Sequence, residues 1–197
     1  FGLGNIGINS STSYAPNIPH LAFMLFQMKF AIITPALIAG AFVERVRFKS
    51  FMLFTLLWTT LIYDPVAHWV WGDGGWLKTL GSLDFAGGTV VHITAGVAAL
   101  AICIALRRKK RAIDGRFQPD SVPLTLFGAV LLWFGWFGFN AGSALSAGAL
   151  AASAFATTNT AAAAAGLAWI LFDAARGKKA SAVGFCIGSV VGLVAIT

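Results

Sequence analysis

Residues 84–106 read DFAGGTVVHITAGVAALAICIAL, and this stretch decides the fold. It has about the 20 apolar residues that an α-helix needs to cross a bilayer core of about 30 Å. Asp84 stands just before the apolar run, so its carboxylate can cap the helix by accepting hydrogen bonds from the backbone N–H of Ala86 or Gly87. Its charge also suits a helix N-terminus. The alternative is that Asp84 attracts a cation directly at an outer mouth.

His92 lies eight residues beyond Asp84, which is roughly 12 Å along a helix. An ionisable side chain inside a membrane helix suggests a function. The alternative is a histidine that only hydrogen-bonds a neighbouring helix. Gly88 and Gly96 lie on the same helical stripe as His92, and small residues allow helices to approach closely in lipid. This spacing predicts that His92 lines an interior pathway.

The rest of the chain is similarly apolar. Of its 197 residues, 58% are hydrophobic and 11% are charged, whereas a soluble domain has about 25% charged residues. The runs are too long and alternate too little for barrel strands of about 10 residues. We therefore predict an all-α polytopic membrane protein with about six transmembrane helices, at residues 20–43, 51–71, 87–106, 122–141, 149–172 and 181–197. Because the chain opens on Phe1 and ends at Thr197 inside the sixth run, we expect a piece of a longer protein.

Basic residues predict the topology. The chain has 14 Lys and Arg residues, and 12 of them lie in the loops after the first, third and fifth segments. Basic loops mark the cytoplasmic side, so residues 1–19, 64–85 and 141–148 are expected outside. The basic run at residues 107–111 could contact nucleic acid, but in this setting it indicates a topology signal that touches anionic lipid. Lys29, inside the first segment, either snorkels outward or faces a cavity.

Aromatic residues gather at the expected outer ends of the segments. Trp69 and Trp76 are typical of the interfacial belt. Residues 133–143, WFGWFGFNAGS, combine aromatic rings, small residues and a hydroxyl. Such rings and a hydroxyl suit a small cation that is being stripped of water, because a cation over an aromatic face gains about 0.5–2 kcal/mol. Gly135, Gly138 and Gly142 also form a small stripe for helix packing, and the alanines at residues 161–165 could form another.

Other chemistry is not indicated. We assign Asp64 and Asp73 to a loop, and no two carboxylates or nucleophile–base pair are placed for catalysis. Cys103 and Cys186 are isolated in apolar runs and lack metal-ligand spacing. We therefore expect neither an enzyme nor a cofactor or metal site.

Four blocks resemble the Amt/Mep/Rh family of ammonium transporters in order and spacing. They read AGAFVER at residues 39–45, AHWVWG at 67–72, DFAGGTVVH at 84–92 and GWFGFNAGS at 135–143. The resemblance covers the whole chain. It implies a trimer of eleven-helix protomers, each with one pore and two inverted halves of five helices, in which residues 1–197 are a partial transporter domain of helices three to eight.

The resemblance also implies roles for individual residues. Trp71, Phe30 and Ser143 resemble the outer ammonium site, and Phe30 with Phe139 resembles the stacked gate. By helix geometry, Phe30 would lie some 15 Å below the outer end of its helix. Trp71 and Ser143 would then cap a mouth with Phe30 as its floor. Trp71 and Ser143 favour the Amt branch of the family.

Asp84 resembles the structural aspartate of the family, and His92 resembles the first histidine of its pore pair, whose second member would follow Thr197. Lys29 departs from the small or apolar residue expected beside the gate. The implied partners are ammonium or ammonia as substrate, the lipid bilayer, two further copies in a homotrimer and a PII-type signalling protein at the cytoplasmic face, with no nucleic acid.

The sequence therefore predicts ammonium uptake across a cell membrane. The outer site would recruit the cation, the gate and apolar pore would remove water, and the histidines would bind the neutral form or relay its proton. The alternatives are a non-conducting ammonium sensor of the same fold and a channel for another small solute.

Overall fold

The computed structural model describes residues 6–11, 14–106 and 121–197. The chain divides into two compact units, Phe1–Lys109 and Lys110–Thr197, here called the first and the second unit. In the described part, five helical stretches are long and apolar enough to cross a membrane. They are His20–Phe42, Phe48–Thr79, Gly88–Leu106, Val122–Gly142 and Ala149–Ala175. A shorter apolar helix spans Ala182–Ala195. The chain is thus a multi-pass membrane protein, as predicted.

The first unit begins with a small antiparallel hairpin of β1, Ser10–Ser11, and β2, Ala15–Pro19. We had not expected strands in the chain. The hairpin leads directly into α1, His20–Leu37, and covers the start of that helix. The His20 N–H donates to the Asn9 carbonyl at 2.8 Å, which satisfies one of the N–H groups that a helix start leaves without an intrahelical partner.

The first long stretch is interrupted near its C-terminal end. Pro35 lies inside α1 and has no N–H to donate. The helix ends two residues later, and the short helix α2, Ala39–Phe42, follows. Glu44 then adopts a positive φ of 62° before the chain enters the next stretch.

The second stretch of the first unit is longer than the segment predicted at residues 51–71, and it contains a π-helix. It runs through α3, Phe48–Trp58, a π-helix at Thr59–Tyr63 and α4, Asp64–Trp71, and ends after a turn with α5, Trp76–Thr79. Asp64 is therefore the first residue of a helix, and our assignment of Asp64 to a loop is wrong. Helix α4 can begin there because the backbone continues directly from the π-helix.

The third stretch also starts irregularly. A second π-helix, Gly88–Ile93, precedes α6, Thr94–Leu106. The basic run at residues 107–111, on which part of the predicted topology depends, lies outside the described residues, so the cytoplasmic orientation of the basic loops stays a prediction.

The second unit consists, in its described part, of three regular helices: α7, Val122–Gly142, α8, Ala149–Ala175, and α9, Ala182–Ala195. Serine caps begin two of them. Ser121 accepts from the Leu124 N–H at 3.3 Å and Ser181 from the Gly184 N–H at 3.0 Å. Their bounds agree with the predicted segments to within three residues.

Helices α8 and α9 pack through glycines. A Cβ on Gly188 would lie 2.7 Å from the Ala165 carbonyl oxygen, and a Cβ on Gly192 would contact the Ala161 carbonyl oxygen even more closely. The alanine tract at residues 161–165 therefore does pack closely against a neighbouring helix. For Gly96, Gly135 and Gly138, no atom of another element in the described part comes within 4 Å of a Cβ position. The close helix approach is thus made by glycines that the sequence analysis had not selected.

Candidate functional site

Trp71 ends α4 and lies at the centre of the contacts in the first unit. Its indole Nε1 donates to the backbone carbonyl of Asp84 at 2.9 Å. Its ring meets the Phe30 ring edge-on, with centroids 5.6 Å apart and planes at 76°. This edge-to-face geometry is favourable for aromatic pairs. The structure thus brings together Trp71, Phe30 and Asp84, which are far apart in the sequence.

Phe30 is held on both sides. It is 2% exposed, and its ring packs edge-on against Phe26 at 4.9 Å. The Thr34 hydroxyl donates to the Phe30 carbonyl at 2.6 Å. Phe26, Phe30 and Trp71 therefore form one continuous row of aromatic rings between α1 and α4.

Asp84 lies three residues before the N-cap of the third stretch, which is Gly87. Its Oδ1 accepts from the Gly87 N–H at 2.5 Å, and its Oδ2 accepts from the N–H groups of Thr89 and Val90 at 2.9 Å each. We expected bonds from the N–H of Ala86 or Gly87, and the bond to Gly87 is present. The two further bonds instead go to Thr89 and Val90, because the helix begins later than expected.

Gly87 permits this arrangement through its backbone. Its φ is +113°, a conformation that residues with a side chain rarely adopt. A Cβ at this position would also lie 2.8 Å from the Val91 side chain and 3.5 Å from the edge of the Trp71 ring. Trp71 thus packs directly over the turn that Asp84 organises.

His92 lies within the second π-helix and is half-buried. The backbone N–H of His92 donates to the Gly87 carbonyl, five residues earlier in the chain, at 3.1 Å. Because the helix starts at Gly88, His92 is its fifth residue, and the expected α-helical depth of 12 Å does not apply. Single π-helical turns occur frequently at functional sites. That His92 lines a pathway stays a prediction.

The predicted residues of the second unit lie at the end of α7. The Ser143 hydroxyl donates to the Phe139 carbonyl at 2.8 Å, and the Phe139 ring stacks on Trp136 at 5.1 Å. Nearby, the Asn140 amide donates to the Thr158 hydroxyl at 2.9 Å. The predicted pairings of Phe139 and Ser143 with residues of the first unit stay predictions.

Three residues beside Trp71 were missed by the sequence analysis. The Lys78 ammonium donates to the Trp71 carbonyl at 3.2 Å and to the Asp73 carboxylate at 2.9 Å. It also lies 5.7 Å from the centroid of the Tyr14 ring. The only sequence signal was that Lys78 is the single cation in the loops predicted to face outside. Elsewhere, within residues 6–11, 14–106 and 121–197, no three His, Cys, Asp or Glu side chains come together as metal ligands would.

Comparison with known proteins decides the family. The model of the Ammonium Transporter Family matches residues 2–197. The chain belongs to this family. It is 52% identical over its whole length to an ammonium transporter of Bacillus subtilis, and 50% identical over 90% of its length to the ammonium transporter Amt1 of Archaeoglobus fulgidus. These matches cover 48% and 45% of the two relatives, so the chain spans a little under half the length of these ammonium transporters.

Solved structures of the ammonium transporter family share the fold. A structure of the N240A mutant of Candida albicans Mep2 superposes with a TM-score of 0.87 at 44% identity, covering 92% of this chain and 41% of that one. A protein described as a Sensor Amt Protein superposes with a TM-score of 0.83 at 38% identity, covering 92% and 48%. The predicted family and fold class are confirmed.

Proposed function

We propose that this chain is part of a transporter that moves ammonium or ammonia across a membrane. The proposal is carried by the arrangement in which Trp71 packs on Phe30 and bonds to Asp84, directly before the helix of His92. Aromatic rings attract cations through their negative faces, so this arrangement suits recruitment of ammonium. The relatives that match the chain are named ammonium transporters, which does not favour the sensor alternative.

The proposed pathway assigns roles in binding, gating and support to the predicted site residues. Trp71 and Phe30 bind the cation with the help of the Ser143 hydroxyl, and Phe30 with Phe139 forms the gate. Asp84 is structural, because its carboxylate accepts three backbone N–H bonds and so fixes the start of the helix. His92 receives the substrate below the gate. The roles of Ser143 and Phe139 rest on the family resemblance alone.

The assembly is proposed on the same grounds. The protein would act as a homotrimer in a lipid bilayer, with one pore in each protomer, and a PII-type signalling protein would bind its cytoplasmic face. The relatives are transporters by name, and we propose no enzymatic activity.

Uptake by the full-length protein tests the proposal. Purified protein in liposomes should take up ammonium or methylammonium faster than empty liposomes, and no uptake above that background would refute it. Trp71→Leu removes one cation–π partner, worth about 0.5–2 kcal/mol. We therefore expect the half-saturating concentration to rise by a few-fold up to about thirty-fold. Trp76→Leu is the matched control, because Trp76 is 53% exposed and packs on Trp69 at 6.0 Å.

His92→Ala separates recruitment from passage. This variant should reduce uptake at every ammonium concentration, whereas Trp71→Leu should reduce it mainly at low concentration. If Trp71→Leu took up ammonium normally at low concentration, Trp71 would be only an interfacial anchor and the recruitment site would lie elsewhere.

A further inference from the structure

The turn that follows Trp71 is closed by an ion pair. The Lys78 ammonium and the Asp73 carboxylate are 2.9 Å apart, with side chains that are 45% and 51% exposed. Lys78 is on the short helix α5, and Asp73 is two residues after Trp71. The pair therefore bridges the two ends of the turn between α4 and α5.

Lys78 makes two more contacts that tie this turn to the rest of the first unit. It donates to the Trp71 carbonyl at 3.2 Å, and it lies 5.7 Å from the centroid of the Tyr14 ring. The Tyr14 hydroxyl accepts from the Asp73 N–H at 3.3 Å, and the Tyr14 ring stacks on Phe23 of α1 at 5.5 Å. Through these contacts, the turn is fastened to the helix that carries Phe30.

Trp71 is thus held at two places. Its indole is fixed by the bond to the Asp84 carbonyl at 2.9 Å, and its backbone is fixed by Lys78. A ring that must meet Phe30 at a defined angle depends on both. We propose that Tyr14, Asp73 and Lys78 form a latch that positions Trp71 for cation binding. This inference rests on the proposed function.

The latch also has an electrostatic consequence for a cationic substrate. A lone ammonium group so close to Trp71 would repel ammonium ions, and the Asp73 carboxylate offsets that charge. The carboxylate therefore does two things: it fixes Lys78, and it lowers the positive potential at the mouth. Removing Asp73 alone leaves the positive charge in place, whereas removing Lys78 alone takes it away.

Ammonium uptake by the full-length protein, measured over a range of concentrations, tests the latch. Exposed ion pairs are weak, so Lys78→Met should raise the half-saturating concentration by about two- to fivefold. The maximal rate per protein in the membrane should stay at the wild-type value, since a positioning role affects binding alone. Asp73→Asn should raise the half-saturating concentration more than Lys78→Met does. Lys78→Arg, which can still pair with Asp73, should behave like the wild type.

Lys49→Met is the matched control, because Lys49 is also an exposed lysine of the first unit and stands apart from Trp71 at the start of α3. An unchanged half-saturating concentration in Lys78→Met would overturn the latch, provided that the wild type transports. A fall only in the maximal rate would also overturn it, because the residue would then act on folding. Absence of uptake by the wild type would instead refute the proposed function itself.

Discussion

Aromatic rings and one carboxylate organise the first unit, where two of the helical stretches contain π-helices, whereas glycines bring regular α-helices together in the second unit. Trp71 packs edge-on against Phe30 and donates a hydrogen bond to the Asp84 carbonyl, and both contacts depend on the orientation of the indole ring. Gly188 and Gly192 let α9 lie close to α8 because they have no side chain. The first kind of contact positions groups that can bind a ligand. The second kind stabilises the helix pair and places no functional group.

This difference has a consequence for mutations. Changes at the contacts of α8 and α9 should alter stability and leave the affinity for substrate nearly unchanged. Changes around Trp71 should alter the affinity, and only those that also leave a buried or part-buried backbone N–H without its acceptor should alter stability clearly. Measuring stability and transport on the same variants separates the two classes.

Gly192→Ala should have the largest effect on stability. The added Cβ would lie 2.7 Å from the Ala165 Cβ and closer still to the Ala161 carbonyl oxygen. Helices α8 and α9 would have to separate, at a cost of about 3 kcal/mol, the upper end of what overpacking usually costs. The midpoint of thermal unfolding in detergent should therefore fall clearly below that of the wild type.

Gly128→Ala is the control for this variant. Among the described residues, nothing beyond its own helix comes within 4 Å of a Cβ on Gly128, so the change should be neutral or slightly stabilising, since alanine favours a helix by about 0.5–1 kcal/mol over glycine. Equal losses in both variants would contradict the view that glycine contacts are specific to α8 and α9.

Asp84→Asn should have the next largest effect and should distinguish a structural carboxylate from a recruiting one. Both carboxylate oxygens of Asp84 accept hydrogen bonds, whereas an asparagine has only one oxygen. Its NH2 group cannot accept, so at least one backbone N–H would lose its acceptor. An unsatisfied buried donor costs about 1–3 kcal/mol. We expect a loss of that size in the free energy of unfolding, together with weaker uptake because Trp71 bonds to the same residue.

Asp73→Asn makes the same chemical change at an exposed site and provides the comparison. Its ion pair with Lys78 is exposed, so stability should change by less than about 1 kcal/mol. If Asp84→Asn kept wild-type stability and lost only substrate recruitment, the structural role of Asp84 would be wrong.

The membrane helices could be predicted from the sequence because each is a long apolar run that ends at charged or turn-forming residues. The start of α7 at Val122, for example, follows Ser121, which caps it. The two π-helices could not be predicted in this way. One extra residue in a turn changes the hydrogen bonds from four to five residues apart, and nothing in the stretch TTLIY at residues 59–63 distinguishes that turn from the α-helix before it.

The candidate site was predicted only in part for a related reason. Trp71 and Asp84 belong to blocks that resemble a family, and the same resemblance implies a role for Phe30, so the three residues could be selected together. Tyr14, Asp73 and Lys78 stand outside those blocks, and their contacts depend on a turn whose path the residue pattern does not specify. The stripe of Gly184, Gly188 and Gly192 was visible as an i, i+4, i+8 spacing, but so were other glycine stripes, and only the structure distinguishes between them.

The smallest expected effect concerns Tyr14, whose ring and hydroxyl contribute different contacts to the latch. Tyr14→Phe keeps the ring beside Lys78 and Phe23 and loses only the acceptor for the Asp73 N–H, a long contact of 3.3 Å. Half-saturation should then stay within about twofold of the wild type, because a weak exposed hydrogen bond contributes little. Tyr14→Leu also removes the cation–π contact, worth about 0.5–1 kcal/mol at an exposed site, and should raise the half-saturating concentration by about two- to fivefold. Neither variant should change the unfolding midpoint by more than a few degrees, because the contacts of Tyr14 position Trp71 and contribute little to the stability of the fold. An equal rise of the half-saturating concentration in both variants would mean that the hydroxyl, and not the ring, holds the turn in place, and no change in either would mean that Tyr14 is not part of the latch.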